Sequence, residues 1–174
     1  MVCRKAEQGF KFCIDNLKNK IEGGTDDEDT ILLYAMTLDF YANLLIDKNH
    51  FTEAFDCFKK AYELNVKVNG EVHEETAVLL NDLGTICTVL DDLDSAISYL
   101  VKAVDIGEKL PDMKDLGLIQ TNLVTVYIKK GMYEEAKIFY NKGWKTAKKH
   151  NNKEVLKELT ELLDEIEKLE TAHS

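Results

Sequence analysis

Four histidines and four cysteines are the side chains of this 174-residue sequence best suited to metal or nucleophilic chemistry, and their spacing supports neither. The histidines stand at 50, 73, 150 and 173 and the cysteines at 3, 13, 57 and 87. No cysteine pair has a CxxC gap, and no histidine lies near a cysteine in sequence, as a zinc site would need. Each histidine falls in a polar stretch that reads as a turn, or at the terminus, where a solvated ring is the ordinary role. Asp91, Asp92 and Asp94 gather as a calcium loop begins, but no following Gly and Glu complete it. Helix capping is the plainer role for these aspartates. A Walker loop, a GxGxxG turn and a GxSxG elbow are all missing. The sequence therefore predicts no enzyme, no metal site and no cofactor.

Charge narrows the partner class. The formal net charge is −10 and the sequence pI about 4.9, which disfavours DNA, RNA or anionic lipid as the main partner. Lys142, Lys145, Lys148, Lys149 and Lys153 gather near the C-terminus, but acidic residues interleave beyond them, so a solvated face is expected there. Thiols without disulfide or metal spacing suit a reducing compartment. The longest apolar runs, residues 31–36 and 44–46, fall well short of the roughly 20 residues of a membrane span.

The elements that must carry any binding surface are legible as a repeat. Phe51, Ala54, Phe58 and Ala61 share their offsets with Leu93, Ala96, Leu100 and Ala103, and with Tyr133, Ala136, Tyr140 and Gly143. Those offsets place bulky and small residues on one helical face, where the small ones admit a neighbouring helix. Each such helix follows another with its own pattern: Leu38, Tyr41, Ala42 and Leu45; Leu80, Leu83, Gly84 and Cys87; Gln120, Leu123, Val124 and Tyr127. The polar turns 47–50, 91–92 and 129–131 are short, so the partners must be antiparallel.

These residues resemble the tetratricopeptide repeat over roughly 30–150. Ala54 to Ala96 is 42 residues and Ala96 to Ala136 is 40, against about 34 for the standard repeat. The extra length lies between repeats, where Asn69, Gly70, His73, Thr76 and Ala77 resemble the junction of the kinesin-light-chain type. Glu74 stands where that junction usually carries Pro. The resemblance implies an all-α, right-handed superhelix of helix hairpins, about eight helices in all. Its expected divisions are a half-repeat helix over 3–22, three repeats over 26–151 (26–70, 74–110 and 112–150), and a capping helix over 152–171.

Local signals mark these ends. Thr25 to Glu28 reads as a capping box, Asn69-Gly70 as a helix stop, Pro111 as a separator, and Asn151-Asn152 as a cap for the last helix. Val155, Leu159, Leu162, Ile166 and Leu169 give that helix one apolar face with which to close the stack. Trp144 is expected to pack against it. Ala6, Phe10 and Cys13 match the second helix of a repeat, so Phe10, Phe12, Ile14 and Leu17 are expected to form an uncovered face that invites self-association or a partner.

In such a stack the first helix of each pair lines the concave side. The residues flanking the packing positions there are Asp39, Phe40 and Asn43, then Asn81, Asp82 and Thr85, then Thr121, Asn122 and Thr125. Asn and Thr can donate to and accept from an extended backbone; a plain solvated helix surface is the alternative. No Lys or Arg stands among them to clamp a terminal carboxylate, so a neutral or basic segment is expected.

The order of segments is similar to that of the mitochondrial tetratricopeptide repeat protein 19 family, and Gly9-Phe10-Lys11-Phe12-Cys13 in the half-repeat favours it. That resemblance implies a scaffold at the mitochondrial inner membrane, supporting assembly and maintenance of respiratory complex III and turnover of Rieske iron–sulfur subunit fragments. The targeting segment and any anchor expected of that family are not seen, so a truncated or processed soluble part is expected. A cytosolic cargo or complex adaptor of the kinesin-light-chain type is the alternative.

Overall fold

The computed structural model describes residues 2–24 and 27–172. Among them lie eight helices and no strand: α1 Val2–Glu22, α2 Glu28–Asp47, α3 Phe51–Asn69, α4 Glu74–Val89, α5 Leu93–Gly107, α6 Leu116–Lys129, α7 Tyr133–Lys149 and α8 Lys153–Ala172.

Turn chemistry forces the hairpins. The chain reverses through a left-handed residue at Asn49 (φ 61°), Asp91 (φ 63°), Gly131 (φ 74°) and Asn151 (φ 53°), residue types that tolerate that region. After each, the next amide donates back to the carbonyl five residues earlier. These bonds, His50 to Leu45, Asp92 to Cys87, Met132 to Tyr127 and Asn152 to Ala147, are all 2.9 Å long. Side chains then start the following helices. Asp92 accepts from the Ser95 amide at 3.2 Å and Asn152 from the Val155 amide at 3.2 Å. For α2 the cap is Asp27, which accepts from the Thr30 amide at 3.0 Å; Thr25, the expected cap, lies outside the described residues.

Small residues set the packing. Ala42, Ala54, Ala61, Ala77, Ala96, Ala103 and Ala136 are all fully buried, and Leu45, Phe58, Leu83, Leu100 and Leu123 fill the space between them. One apolar cluster runs through α1 to α4 and a second from α4 to α8. Alone among the described helices, α2 is long and apolar enough by composition to cross a membrane. Here it packs between α1 and α3 and gives Ile31, Tyr34, Ala35, Leu38, Tyr41, Ala42 and Leu45 to the core.

The half-repeat helix is better covered than its sequence suggested. Leu17 is buried, while Phe10, Ile14 and Ile21 pack against the first cluster. The Phe10 and Tyr41 rings lie 6.1 Å apart, and Glu7 pairs with Lys48. Of the four residues expected on an open face, only Phe12 is strongly exposed, at 71%. The other three face α2 because they share the 3–4 residue period that Phe12 breaks.

Candidate functional site: the inner face of the helix stack

The even-numbered helices form the inside of the curve. α4 meets α6 directly and α6 meets α8, whereas α3, α5 and α7 approach one another less closely. The face that α2, α4 and α6 turn away from the packing helices is therefore the concave surface.

The expected groove residues divide into three groups. Phe40 is 55% exposed, and Asn43 and Thr85 are exposed as well. Asp39, Asp82, Asn122 and Thr125 are half-buried. Asn81 is only 9% exposed and Thr121 is fully buried. Thr121 is thus not a groove residue. Gly117, one turn earlier on the same edge of α6, lies against α7: a Cβ there would stand 3.5 Å from the Ala147 nitrogen. Thr121 turns its hydroxyl inward and donates to the Gly117 carbonyl at 2.9 Å.

The polar groups of this face largely satisfy one another. Asn122 donates to Asn81 Oδ1 at 2.8 Å. Thr85 donates to the Asn81 carbonyl at 2.9 Å and Thr125 to the Thr121 carbonyl at 3.3 Å. Asn43 donates to the Asp39 carbonyl at 3.0 Å and to its carboxylate at 3.2 Å. Asn81 and Asn122 are therefore not the pair of free amides that the sequence suggested.

The carboxylates are less settled. Burial pushes the Asp82 carboxyl up to about 7, helped by Asp39 and Glu75 and opposed by a hydrogen bond from Asn81. Burial also raises Asp39, and Glu75 raises it further. Leaving water disfavours the charged form, and like charges close by disfavour it again.

Between α2 and α4 this face opens into a cavity of about 220 Å³. Leu32, Ala35, Met36, Asp39, Glu75 and Leu79 line it, with Asn65 and Asn69 from the end of α3 and His73 of the long junction. The junction is held from within: Thr76, fully buried, places its hydroxyl 3.1 Å from Asn65 Oδ1 and 3.0 Å from the Gly70 carbonyl. The His73 ring accepts from the Glu75 amide at 3.2 Å, which makes it a helix cap. Leu33 and Met36 were missed by the sequence reading, yet they are 53% and 50% exposed beside Phe40. Their apolar type on the unpacked side of α2, at the spacing of one helical stripe, was the signal available.

Elsewhere the side chains have structural tasks. Lys142 pairs with Glu108 at 2.8 Å and Lys149 with Asp112 at 3.0 Å. Lys148 lies 5.3 Å from the Trp144 ring centre, and Trp144 itself is half-buried and stacked 5.8 Å from Tyr140. Among the described residues no group of three or more His, Cys, Asp or Glu side chains is placed to hold a metal ion.

Known proteins agree with this architecture. A family model described as tetratricopeptide repeat matches residues 33–109, and a second of the same description matches 119–150. Tetratricopeptide repeat protein 19 homolog, mitochondrial, from Drosophila melanogaster is 28% identical over 93% of this chain and 44% of its own length. Its Homo sapiens counterpart, named tetratricopeptide repeat protein 19, mitochondrial, is 28% identical over 94% of this chain and 45% of its own length. The chain thus spans a little under half of the curated relatives it matches. Among solved structures, BtubC (BKLC) from P. vanneervenii superposes with a TM-score of 0.74 at 22% identity, covering 86% of this chain and 58% of that one. A Podosopora anserina putative kinesin light chain with nearly identical repeats gives 0.64 at 14% identity, covering 99% of this chain and 94% of that one. At such identities these structures speak for the helical-repeat fold alone. The chain belongs to the tetratricopeptide repeat proteins, and over more than nine-tenths of its length it is similar to relatives named mitochondrial tetratricopeptide repeat protein 19.

Proposed function

We propose that this chain is a non-catalytic scaffold at the mitochondrial inner membrane that holds subunits of respiratory complex III. In this reading it supports assembly and maintenance of the complex and helps clear fragments of the Rieske iron–sulfur subunit. The observation that carries the reading is similarity over more than nine-tenths of the chain to relatives named mitochondrial tetratricopeptide repeat protein 19. The inner face adds a physical reason to hold protein: it combines exposed apolar side chains with half-buried carboxylates, not a clustered cationic surface for polyanions.

The test uses the full-length protein, tagged and expressed in cells lacking their own copy. Complex III subunits should co-purify with it from gently solubilised mitochondria, and Rieske fragments should accumulate when it is missing. A protein outside mitochondria, or one inside them that recovers no complex III subunit, overturns the proposal.

A further inference from the structure

The inner face carries two features that the core does not explain, and they adjoin. The first is apolar. Leu33, Met36 and Phe40 form one stripe along α2, each at least half exposed. Three large apolar side chains held in water on one helical stripe mark a contact surface more often than chance exposure does. Met36 also lines the cavity between α2 and α4, which has room for one large apolar side chain.

The second feature is electrostatic. Asp39 lies one turn from Met36 in the same cavity wall, with Glu75 opposite on α4, and Asp82 feels both carboxylates. Elsewhere this chain pairs such groups across its helices: Glu7 with Lys48, Asp94 with Lys130, Glu108 with Lys142 and Asp112 with Lys149. Among the described residues, no ion pair joins Asp39, Glu75 or Asp82 to a Lys or Arg; near them are each other, the amides of Asn43 and Asn81, and, in the cavity wall, Asn65, Asn69 and the His73 ring, whose Nδ1 caps α4. A cation delivered there relieves repulsion already present in the fold. An acidic segment or an anionic bilayer would add to it.

We propose that the α2–α4 inner face binds a protein segment in which a Lys or Arg stands beside apolar anchor residues. The anchors cover the Leu33–Met36–Phe40 stripe and enter the cavity. The cation sits among Asp39, Glu75 and Asp82. This inference rests on the reading of the chain as a protein-holding scaffold and specifies what it holds.

The test is a selection of phage-displayed random peptides on the folded chain, followed by titration of one synthetic peptide of the recovered consensus. The consensus should carry Lys or Arg next to apolar or aromatic residues. The peptide should lose about tenfold or more in affinity for the D39N/D82N variant and for the M36S/F40S variant. Its binding to wild type should weaken as salt rises. Both variants change partly or largely exposed positions, and their thermal melts are recorded alongside. A single-charge variant, E75Q, serves as a second reading if either double variant unfolds. An acidic or uncharged consensus, a basic consensus indifferent to all three variants, or no enrichment at all overturns the proposal. So does concentration-dependent dimerisation of the chain that M36S/F40S abolishes, which gives the stripe to a second copy. Any of these overturning outcomes, with complex III still recovered from mitochondria by the full-length protein, overturns only this inference. A peptide that behaves as expected on a protein that recovers no complex III overturns only the proposed function.

Discussion

Asn122 of α6 donates its amide to the Asn81 side-chain oxygen of α4 at 2.8 Å, so the two inner helices are tied by a side-chain bond across the concave face. Asn81 is almost wholly buried, and its own amide reaches Asp82 only at 3.5 Å. Asn122→Ala should therefore cost stability, although Ala is the better helix former. About 0.5–1.5 kcal/mol is the expected loss for one such bond. Asn81→Ala should cost a similar amount, and the double variant little more than either single, because both remove the same bond. A urea-unfolding cycle measures this. Strictly additive losses would show that the bond carries no coupling.

Asp82 sets a pH dependence of stability. Its carboxyl titrates near 7 in the fold, because of burial first and Asp39 second, against about 3.9 in an unfolded chain. Between those values the folded state holds the proton and the unfolded state does not. Stability then falls as pH rises through that window, and it is fully recovered only below the unfolded value. Asp82→Asn removes the titrating group while keeping its shape. The variant should be more stable than wild type at pH 8, by on the order of 1–2 kcal/mol, and the two should converge toward pH 4. Melts across that range decide it, and a variant less stable than wild type at pH 8 would refute the argument.

The fold was legible because three stretches repeat one helical phase. Ala54, Ala96 and Ala136 each lie at 0% exposure, as periodicity alone requires of small residues facing a close neighbour. Phase says which side of a helix a residue occupies, but not which later helix will cover that side. Asp39, Asn81 and Thr121 share one position in the repeat, yet they run from half-buried to 9% to 0% exposed. The difference comes from the surroundings of α2, α4 and α6, which no single repeat contains. The same limit explains α1, where the offsets located a helix but could not show that Phe10, Ile14 and Leu17 had α2 to cover them. The acidic cluster was half visible: Asp39 and Asp82 were named, but Glu75 joins them only through the long junction's geometry.

Two glycines at packing positions should respond to the same substitution with opposite signs. A Cβ on Gly84 would lie 2.6 Å from Leu100 Cγ and 3.3 Å from the Ala96 carbonyl oxygen. Leu100 is fully buried and cannot swing away, so Gly84→Ala should destabilise by about 1–3 kcal/mol despite its helix preference. A Cβ on Gly143 would make ordinary contact, at 3.4 Å from Leu159 and 3.5 Å from Gln120. The matching positions of the other repeats, Ala61 and Ala103, already carry that atom. Gly143→Ala should then stabilise by about 0.5–1 kcal/mol. Chemical denaturation of both variants checks the pair, and a shared sign would mean the packing at one site has been misjudged.

The last helix should behave as a lid whose loss is felt locally. α8 rests on α7 and also touches α6, with Leu159 and Ile166 at 0% exposure and Val155 at 4%. Leu159 reaches the floor of that contact, against Gly143, which has no side chain of its own to fill a gap, and near the Cβ of Gln120. Leu159→Ala should therefore leave a cavity that the surroundings close poorly, at a cost of about 2–5 kcal/mol. In a stack whose units touch mainly their neighbours, that loss should not spread evenly. Amide exchange should quicken through α8 and the facing parts of α6 and α7 at denaturant levels where α2 and α3 keep their wild-type protection. Hydrogen exchange read by mass spectrometry separates the cases. A uniform rise in exchange along the whole chain would mean that the stack opens as one cooperative unit, and that α8 is part of a single core instead of a lid on its end.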